Sequence, residues 1–133
     1  MSPARYMLDT DTVIYLRDGL ISRARLERFS PGTLVMSIIS YGELYFGAKK
    51  GRRRHAMAIL ELIAAGVPPL MMDAEVARRY GDLRAELEGR GQSIGGNDLW
   101  IAAHALSTKL ILVTNNEREF RRVRGLKIEN WAA

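Results

Sequence analysis

Asp9 follows the apolar run Tyr6-Met7-Leu8, and Asp98 stands immediately before Leu99-Trp100-Ile101. Glu43 lies among Ile38, Ile39, Tyr41, Leu44, Tyr45 and Phe46, and Asn116 comes three residues after the apolar run 110–113. Acidic side chains set into apolar surroundings are costly to bury one by one, and clustering them adds mutual repulsion. A divalent cation offsets both costs, and oxygen-only ligands select a hard ion such as Mg2+ or Mn2+. A hard cation beside basic side chains points to phosphodiester chemistry, in which the ion orients the phosphate and activates water. Lys49, Lys50, Arg52, Arg53 and Arg54 form one basic run that could hold a polyanion. Arg118, Arg121, Arg122, Arg124 and Lys127 form a second group. Either is equally readable as a solvated helix or loop face.

Each acid also has a purely structural reading. Asp9 could end a strand and start a turn. Asp98 could be a favourable charge in the first turn of a helix. Ser40 and Glu43 have the spacing of a capping box, which would turn Glu43 back onto the backbone. What favours chemistry is the combination, and that depends on the elements that carry these residues.

Short apolar runs at residues 6–8, 34–36, 70–72 and 110–113 read as buried strands. Between residues 73 and 89, Val76, Tyr80, Leu83 and Leu87 recur at helical spacing with charged residues on the other faces. This is an amphipathic helix with Asp73 as its N-cap. Residues 97–109 are apolar almost all round, as in a central buried helix. Strands alternating with helices predict an α/β fold with a mainly parallel sheet. In such a fold the C-terminal ends of strands and the N-terminal ends of helices share one edge, where ligands bind. Asp9, Glu43, Asp98 and Asn116 all fall at that edge, from four separate segments.

The 133 residues predict one domain, with 47% hydrophobic and 26% charged residues. Twenty Lys and Arg against fifteen Asp and Glu leave a net charge of +5, which favours an anionic partner. Without cysteine there is no disulfide, thiolate zinc site or cysteine nucleophile. No signal-peptide core or membrane-length apolar run occurs, so a cytoplasmic protein is expected. His55 and His104 are too few and too scattered for a metal cage, and read as surface and core respectively. Tyr41, Tyr45 and Phe46 read as core rather than as the lining of a groove.

Four segments carry a resemblance: Tyr6-Met7-Leu8-Asp9-Thr10-Asp11-Thr12-Val13-Ile14-Tyr15, Ser37-Ile38-Ile39-Ser40-Tyr41-Gly42-Glu43-Leu44, Ile94-Gly95-Gly96-Asn97-Asp98-Leu99-Trp100-Ile101-Ala102-Ala103 and Leu112-Val113-Thr114-Asn115-Asn116-Glu117-Arg118-Glu119-Phe120. In this order they resemble PIN-domain ribonucleases, and more narrowly the VapC toxins of toxin–antitoxin pairs, over nearly the whole chain. The resemblance implies a three-layer fold with four or five short strands flanked by helices, as a single domain over residues 1–133. It implies a Mg2+- or Mn2+-dependent endoribonuclease that arrests translation by cutting structured RNA. Asp9, Glu43 and Asp98 would be the metal ligands, and the fourth position falls on Asn116, where many members have an acid. Glu119 is the nearby acid that could substitute. Thr114 would bind a metal-bound water, and Asp11 stands where asparagine is common. The implied partners are a VapB-type antitoxin, a second copy of the chain, and promoter DNA reached only through the toxin–antitoxin complex.

Two rivals share some of these residues. Asp9-Thr10-Asp11-Thr12-Val13 matches the nucleophile motif of haloacid-dehalogenase-type phosphatases, but Thr114-Asn115-Asn116 stands where that fold needs a later acidic pair. Gly91-Gln92-Ser93-Ile94-Gly95 matches a serine-hydrolase pattern, but a charged helix precedes it where a buried strand is required. A basic binding module that does not cut is the non-enzymatic alternative, and such a module has no use for acids facing a polyanion.

Overall fold

The computed structural model describes residues 3–132. Strand β1 (Tyr6–Leu8) is followed by helices α1 (Thr10–Arg17) and α2 (Arg23–Leu26). Strand β2 (Leu34–Ser37) runs directly into α3 (Ile38–Lys50), then α4 (Ala56–Gly66) and β3 (Pro69–Leu70). Helices α5 (Ala74–Gly89) and α6 (Gly96–Thr108) precede β4 (Ile111–Val113), α7 (Glu117–Phe120) and β5 (Ile128–Glu129). The five strands lie in the order β3-β2-β1-β4-β5, and every pairing is parallel. The α/β sheet expected from the alternation is therefore present.

Register sorts the core into two faces. Met7 pairs with Val35 and Leu112, and this row packs against Val76, Leu83 and Leu87 of α5 and Leu99, Ile101 and Ala102 of α6. One residue on, Leu8 pairs with Met36 and Val113, and that row packs against Val13 of α1, Leu44 of α3 and Ile63 of α4. Alternation of side chains along a strand thus feeds two helical layers, giving the three-layer fold. Helix α6 has Leu99, Ile101, Ala102, Ala103, His104 and Ala105 all buried, as its apolar sequence predicts. Asp73 caps α5, its Oδ1 accepting from the Val76 amide at 3.1 Å.

Three boundaries differ from the sequence expectation. The third strand is Pro69–Leu70 rather than 70–72, because Met36 donates to the Pro68 carbonyl and sets pairing one step earlier. Leu110 belongs to the turn out of α6, where Lys109 takes a left-handed conformation (φ 59°) and Leu110 donates back to Ala105. Strand β5 has no apolar pattern of its own. It forms because the edge of β4 offers Leu112 and Thr114 amides to the carbonyls of Lys127 and Glu129. Beyond it Trp131 stacks on Phe29 at 4.5 Å and meets Tyr6 edge-on, fixing the last turn of chain. Among the described residues no helix is long and apolar enough to cross a membrane.

The two-faced sheet gives a direct expectation. Leu112 is fully buried in β4 beside the central strand. Leu112→Ala should cost about 2–5 kcal/mol, read as a lower urea midpoint.

Candidate active site

Asp9 leaves the end of β1 and is almost wholly buried. Its Oδ1 accepts from the Thr12 amide at 2.9 Å, making it the N-cap of α1. Thr12 in turn donates its hydroxyl to the Val113 carbonyl at 3.0 Å, stitching α1 to the end of β4. The buried Thr114 accepts from the Asn116 amide at 2.9 Å and has its hydroxyl proton left for the Asp9 carboxylate. Burial outweighs these bonds and raises the Asp9 carboxyl above the ordinary aspartate value.

Glu43 lies in the second turn of α3, and its carboxylate points at the same edge. Oε1 accepts from the Thr10 hydroxyl at 2.5 Å, and Oε2 accepts from the Asn97 side-chain amide at 3.3 Å. Thr10 also lies 3.1 Å from the buried Ser40 hydroxyl. The alternative Ser40–Glu43 capping box is absent. Ser37 caps α3 instead, its Oγ accepting from the Ile39 amide at 3.2 Å, so Ser40 is already inside the helix and Glu43 is free to reach across. That rotation also corrects the reading of the aromatics. With Ser40 and Leu44 turned inward, Tyr45 and Phe46 fall outside, 42% and 64% exposed. Tyr41 is half-buried and donates to Glu61 of α4 at 2.7 Å.

Asp98 occupies the first turn of α6. Its carboxyl is pushed up to about 6, first by burial and then by repulsion from Glu119, Asp9, Glu43 and Asp11. The charges predicted to converge therefore sense one another, and Glu119 joins them. Helix geometry does not turn Glu119 away: Oε1 accepts from the Gly95 amide at 2.9 Å and Oε2 from the Asn116 side-chain amide at 2.8 Å. Asn116 thus uses its amide nitrogen on Glu119 and keeps its carbonyl oxygen for another partner. Asp11 is exposed in the first turn of α1 and contributes charge rather than contact.

The donor set is all oxygen, and its two most desolvated members, Asp9 and Asp98, are both raised, so the residues suit a hard cation. Among the described residues no three Asp, Glu or His side chains already stand as a closed cage. Glu43 is drawn to Thr10 and Asn97, and Glu119 to Gly95 and Asn116. Thr10 and Asn97 were not singled out from sequence, although each is the immediate neighbour of a predicted acid.

The basic residues divide into free and engaged groups. Lys49, Arg52 and Arg54 are exposed at and after the end of α3, and the exposed Lys50 lies over the Phe46 ring at 5.6 Å. Arg53 pairs with Asp18 at 3.1 Å, and with Arg17 it holds the Asp18 carboxyl at about 2. Arg121 pairs with Glu117, and Arg124 lies 3.8 Å from Glu86. Arg122 is half-buried and donates to the Ser93 carbonyl at 2.8 Å, so it braces the loop before α6. An apolar groove between α1, α3 and α4 opens beside the acids, lined by Val13, Ile14, Leu44, Ile59, Leu60 and Ile63 together with Thr10, Glu43, Arg17 and Arg53.

Known proteins resemble this chain over nearly its whole length. The family model for the PIN domain matches residues 6–126. Ribonuclease VapC2 of Haemophilus influenzae is 43% identical over 133 residues, covering 96% of this chain and 98% of that protein. The tRNA(fMet)-specific endonuclease VapC of Shigella flexneri is 38% identical over 131 residues, covering 96% and 98%. The crystal structure of DNA-bound VapBC from Salmonella typhimurium superposes with a TM-score of 0.89 at 36% identity, covering 96% and 98%. With acids at the ends of its parallel strands and the starts of its helices, this chain belongs to the PIN-domain family, among its VapC members.

Proposed function

We propose that this protein is a Mg2+- or Mn2+-dependent endoribonuclease, the toxin of a toxin–antitoxin pair. It hydrolyses phosphodiester bonds in structured RNA such as tRNA or rRNA in the cytoplasm and so inhibits translation. The observation that carries this reading is Asp98, whose carboxyl is raised to about 6 by burial and by four neighbouring acids. Such crowding is unfavourable in itself and is relieved by a cation. Names among the relatives, a VapC ribonuclease and a tRNA(fMet)-specific endonuclease, support the same substrate class.

Asp9, Glu43 and Asp98 would hold the ion, with the Asn116 carbonyl oxygen and Glu119 completing the donor set. When bound, a hard divalent cation supplies Lewis acidity toward a phosphodiester oxygen and lowers the pKa of water. The chain's own residues do the positioning. Thr114 bonds Asp9, Thr10 and Asn97 hold the Glu43 carboxylate, and Gly95 with Asn116 holds Glu119. Lys49, Lys50, Arg52 and Arg54 hold the RNA backbone as point charges and forks on phosphate. Asp9 with Asp11 does not work as a phosphatase pair: Asp11 is exposed and Thr114-Asn115-Asn116 supplies no later acids. A binding module without catalysis leaves the acidic cluster unexplained.

The apolar groove beside Glu43 suits an amphipathic antitoxin segment, and the Salmonella VapBC structure, bound to DNA, supports partnership with an antitoxin in a complex that binds DNA. The toxin is read as a homodimer in that assembly.

Purified protein should cut structured RNA only with Mg2+ or Mn2+, and Asp98→Asn should lower the rate on the order of 10²-fold or more. Equal cutting by both proteins, or cutting in chelator, would overturn the reading. Ile59→Glu should abolish co-purification of the antitoxin while RNA cutting persists, because it places a charge in the groove and leaves the acids untouched. Stability should follow the raised Asp98 carboxyl with a definite sign. Below about pH 4 both folded and unfolded chains hold the proton; between about 4 and 6 only the folded chain does, so stability falls as pH rises. In chelator, Asp98→Asn should therefore gain melting temperature over wild type as pH goes from 4 to 7. Mg2+ should raise the melting temperature of wild type and not of the mutant.

A further inference from the structure

His104 is fully buried on α6, and the chemistry proposed above gives it no role. Its Nδ1 lies 2.9 Å from the Oγ of Ser37, a residue equally buried and 67 positions away in sequence. Ser37 is the N-cap of α3 and accepts from the Ile39 amide through the same oxygen. With that lone pair used, Ser37 can still donate to Nδ1 or accept from it, so the contact holds for either imidazole tautomer. Burial holds the ring neutral, against the Met71 backbone and Asp73, which favour its charged form. Burying an imidazole among so few polar partners is a cost that an apolar side chain would avoid. Its retention needs a return.

The geometry supplies one. Glu43 is six residues after Ser37 on α3, and Asp98 is six residues before His104 on α6. The two helices are joined a second time where Asn97 donates to Glu43. Ser37 opposite His104, and Glu43 opposite Asn97, describe two antiparallel helices pinned at points about 9 Å apart along their axes. The outer pin lies at the acids. The inner pin is dry, buried and directional, so it fixes how far α3 can slide or rotate against α6.

We propose that the His104–Ser37 hydrogen bond is a positioning device that sets the spacing of Glu43 and Asp98, and thereby the affinity of the acidic edge for its divalent cation. This inference rests on the proposed metal-dependent function. It requires that breaking the bond weaken cation binding even where the fold is as stable as before. His104→Leu with Ser37→Ala is the informative variant, because it removes both partners of the bond; Ser37→Ala also frees the Ile39 amide, a lost cap that the melting temperature in chelator registers separately.

The test is Mn2+ binding by titration calorimetry on the full chain, with melting temperature in chelator as the stability control. Ser37→Ala, His104→Leu and the double variant should each bind Mn2+ about 10-fold more weakly, the size typical of losing a group that orients a metal ligand. The double variant should be no weaker than the singles, since one bond is lost in each. His104→Asn, whose side-chain amide can take the place of Nδ1, should restore affinity. Ile21→Ala, in the core between α1 and α2, should lower the melting temperature with Mn2+ affinity unchanged. Wild-type affinity in the double variant and in Ser37→Ala would overturn the inference and leave the functional reading standing. Wild-type protein that binds no Mn2+ would overturn both. Should His104→Leu fail to fold, Ser37→Ala carries the test with His104→Asn, which keeps the α3 cap at Ser37.

Discussion

Like charges held close together at the edge of a low-dielectric core dominate the design of this protein. Two unit charges about 6 Å apart repel by roughly 3 kcal/mol at an effective dielectric of about 20, and burial adds to the cost of each. The chain meets this cost with topology and with donors. Five parallel strands bring the ends of β1, β2 and β4 to one edge, so Asp9, the start of α3 and Thr114 to Asn116 arrive there together. Local donors then hold each carboxylate: the Thr12 amide for Asp9, Thr10 and Asn97 for Glu43, Gly95 and Asn116 for Glu119. Asp98 has no such side-chain donor among the contacts described, and it is the carboxyl driven furthest toward neutrality.

That arrangement depends on a scaffold that does not yield. Helix α6 carries Asp98 at its start and buries six residues of its body, with its strongest partner in α5, whose Val76, Leu83 and Leu87 share the same core. The register of the sheet puts Met7, Val35 and Leu112 on that side and Leu8, Met36 and Val113 on the other. Slipping a strand by one residue would exchange the two sets and would also move Asp9 or Thr114 off the edge. Packing and site geometry are therefore enforced by the same register.

Much of this was legible in the sequence because buried parallel strands are short continuous apolar runs and an acid at the end of one has few uses. Asp9 and the central strands needed only that logic, Asp98 needed only the buried apolar helix that it opens, and the Asp73 cap needed only helical spacing. Strand β5 was not legible, since Ile128 and Glu129 form a strand only because β4 exposes an unpaired edge to them. The Ser40–Glu43 spacing offered a capping box as the structural alternative for Glu43, but Ser37, at the end of a strand, starts α3 instead. The outward turn of Tyr45 and Phe46 follows from that choice and is invisible without it. Thr10 and Asn97 carry no signal in isolation, because a hydroxyl or amide beside an acid acquires meaning only when another helix crosses it.

Asn116 and Glu119 show how charge at one position can be supplied from another. An amide at 116 removes a negative charge from the edge, yet its nitrogen donates to Glu119 one helical turn on and so holds an acid there. The Gly95 amide, at the opening of α6, holds the same carboxylate from the opposite side, where the helix N-terminus favours negative charge. Glu119 in turn heads the neighbouring charges that raise Asp98. The substitution of asparagine thus moves the charge along α7 without removing it from the site, and binds β4 and α7 to α6 in doing so. The net charge of +5 is accordingly no guide to this edge. The free basic residues after α3 lie on one part of the surface, and the acids form a separate negative focus whose field is set by which donors each carboxylate can find.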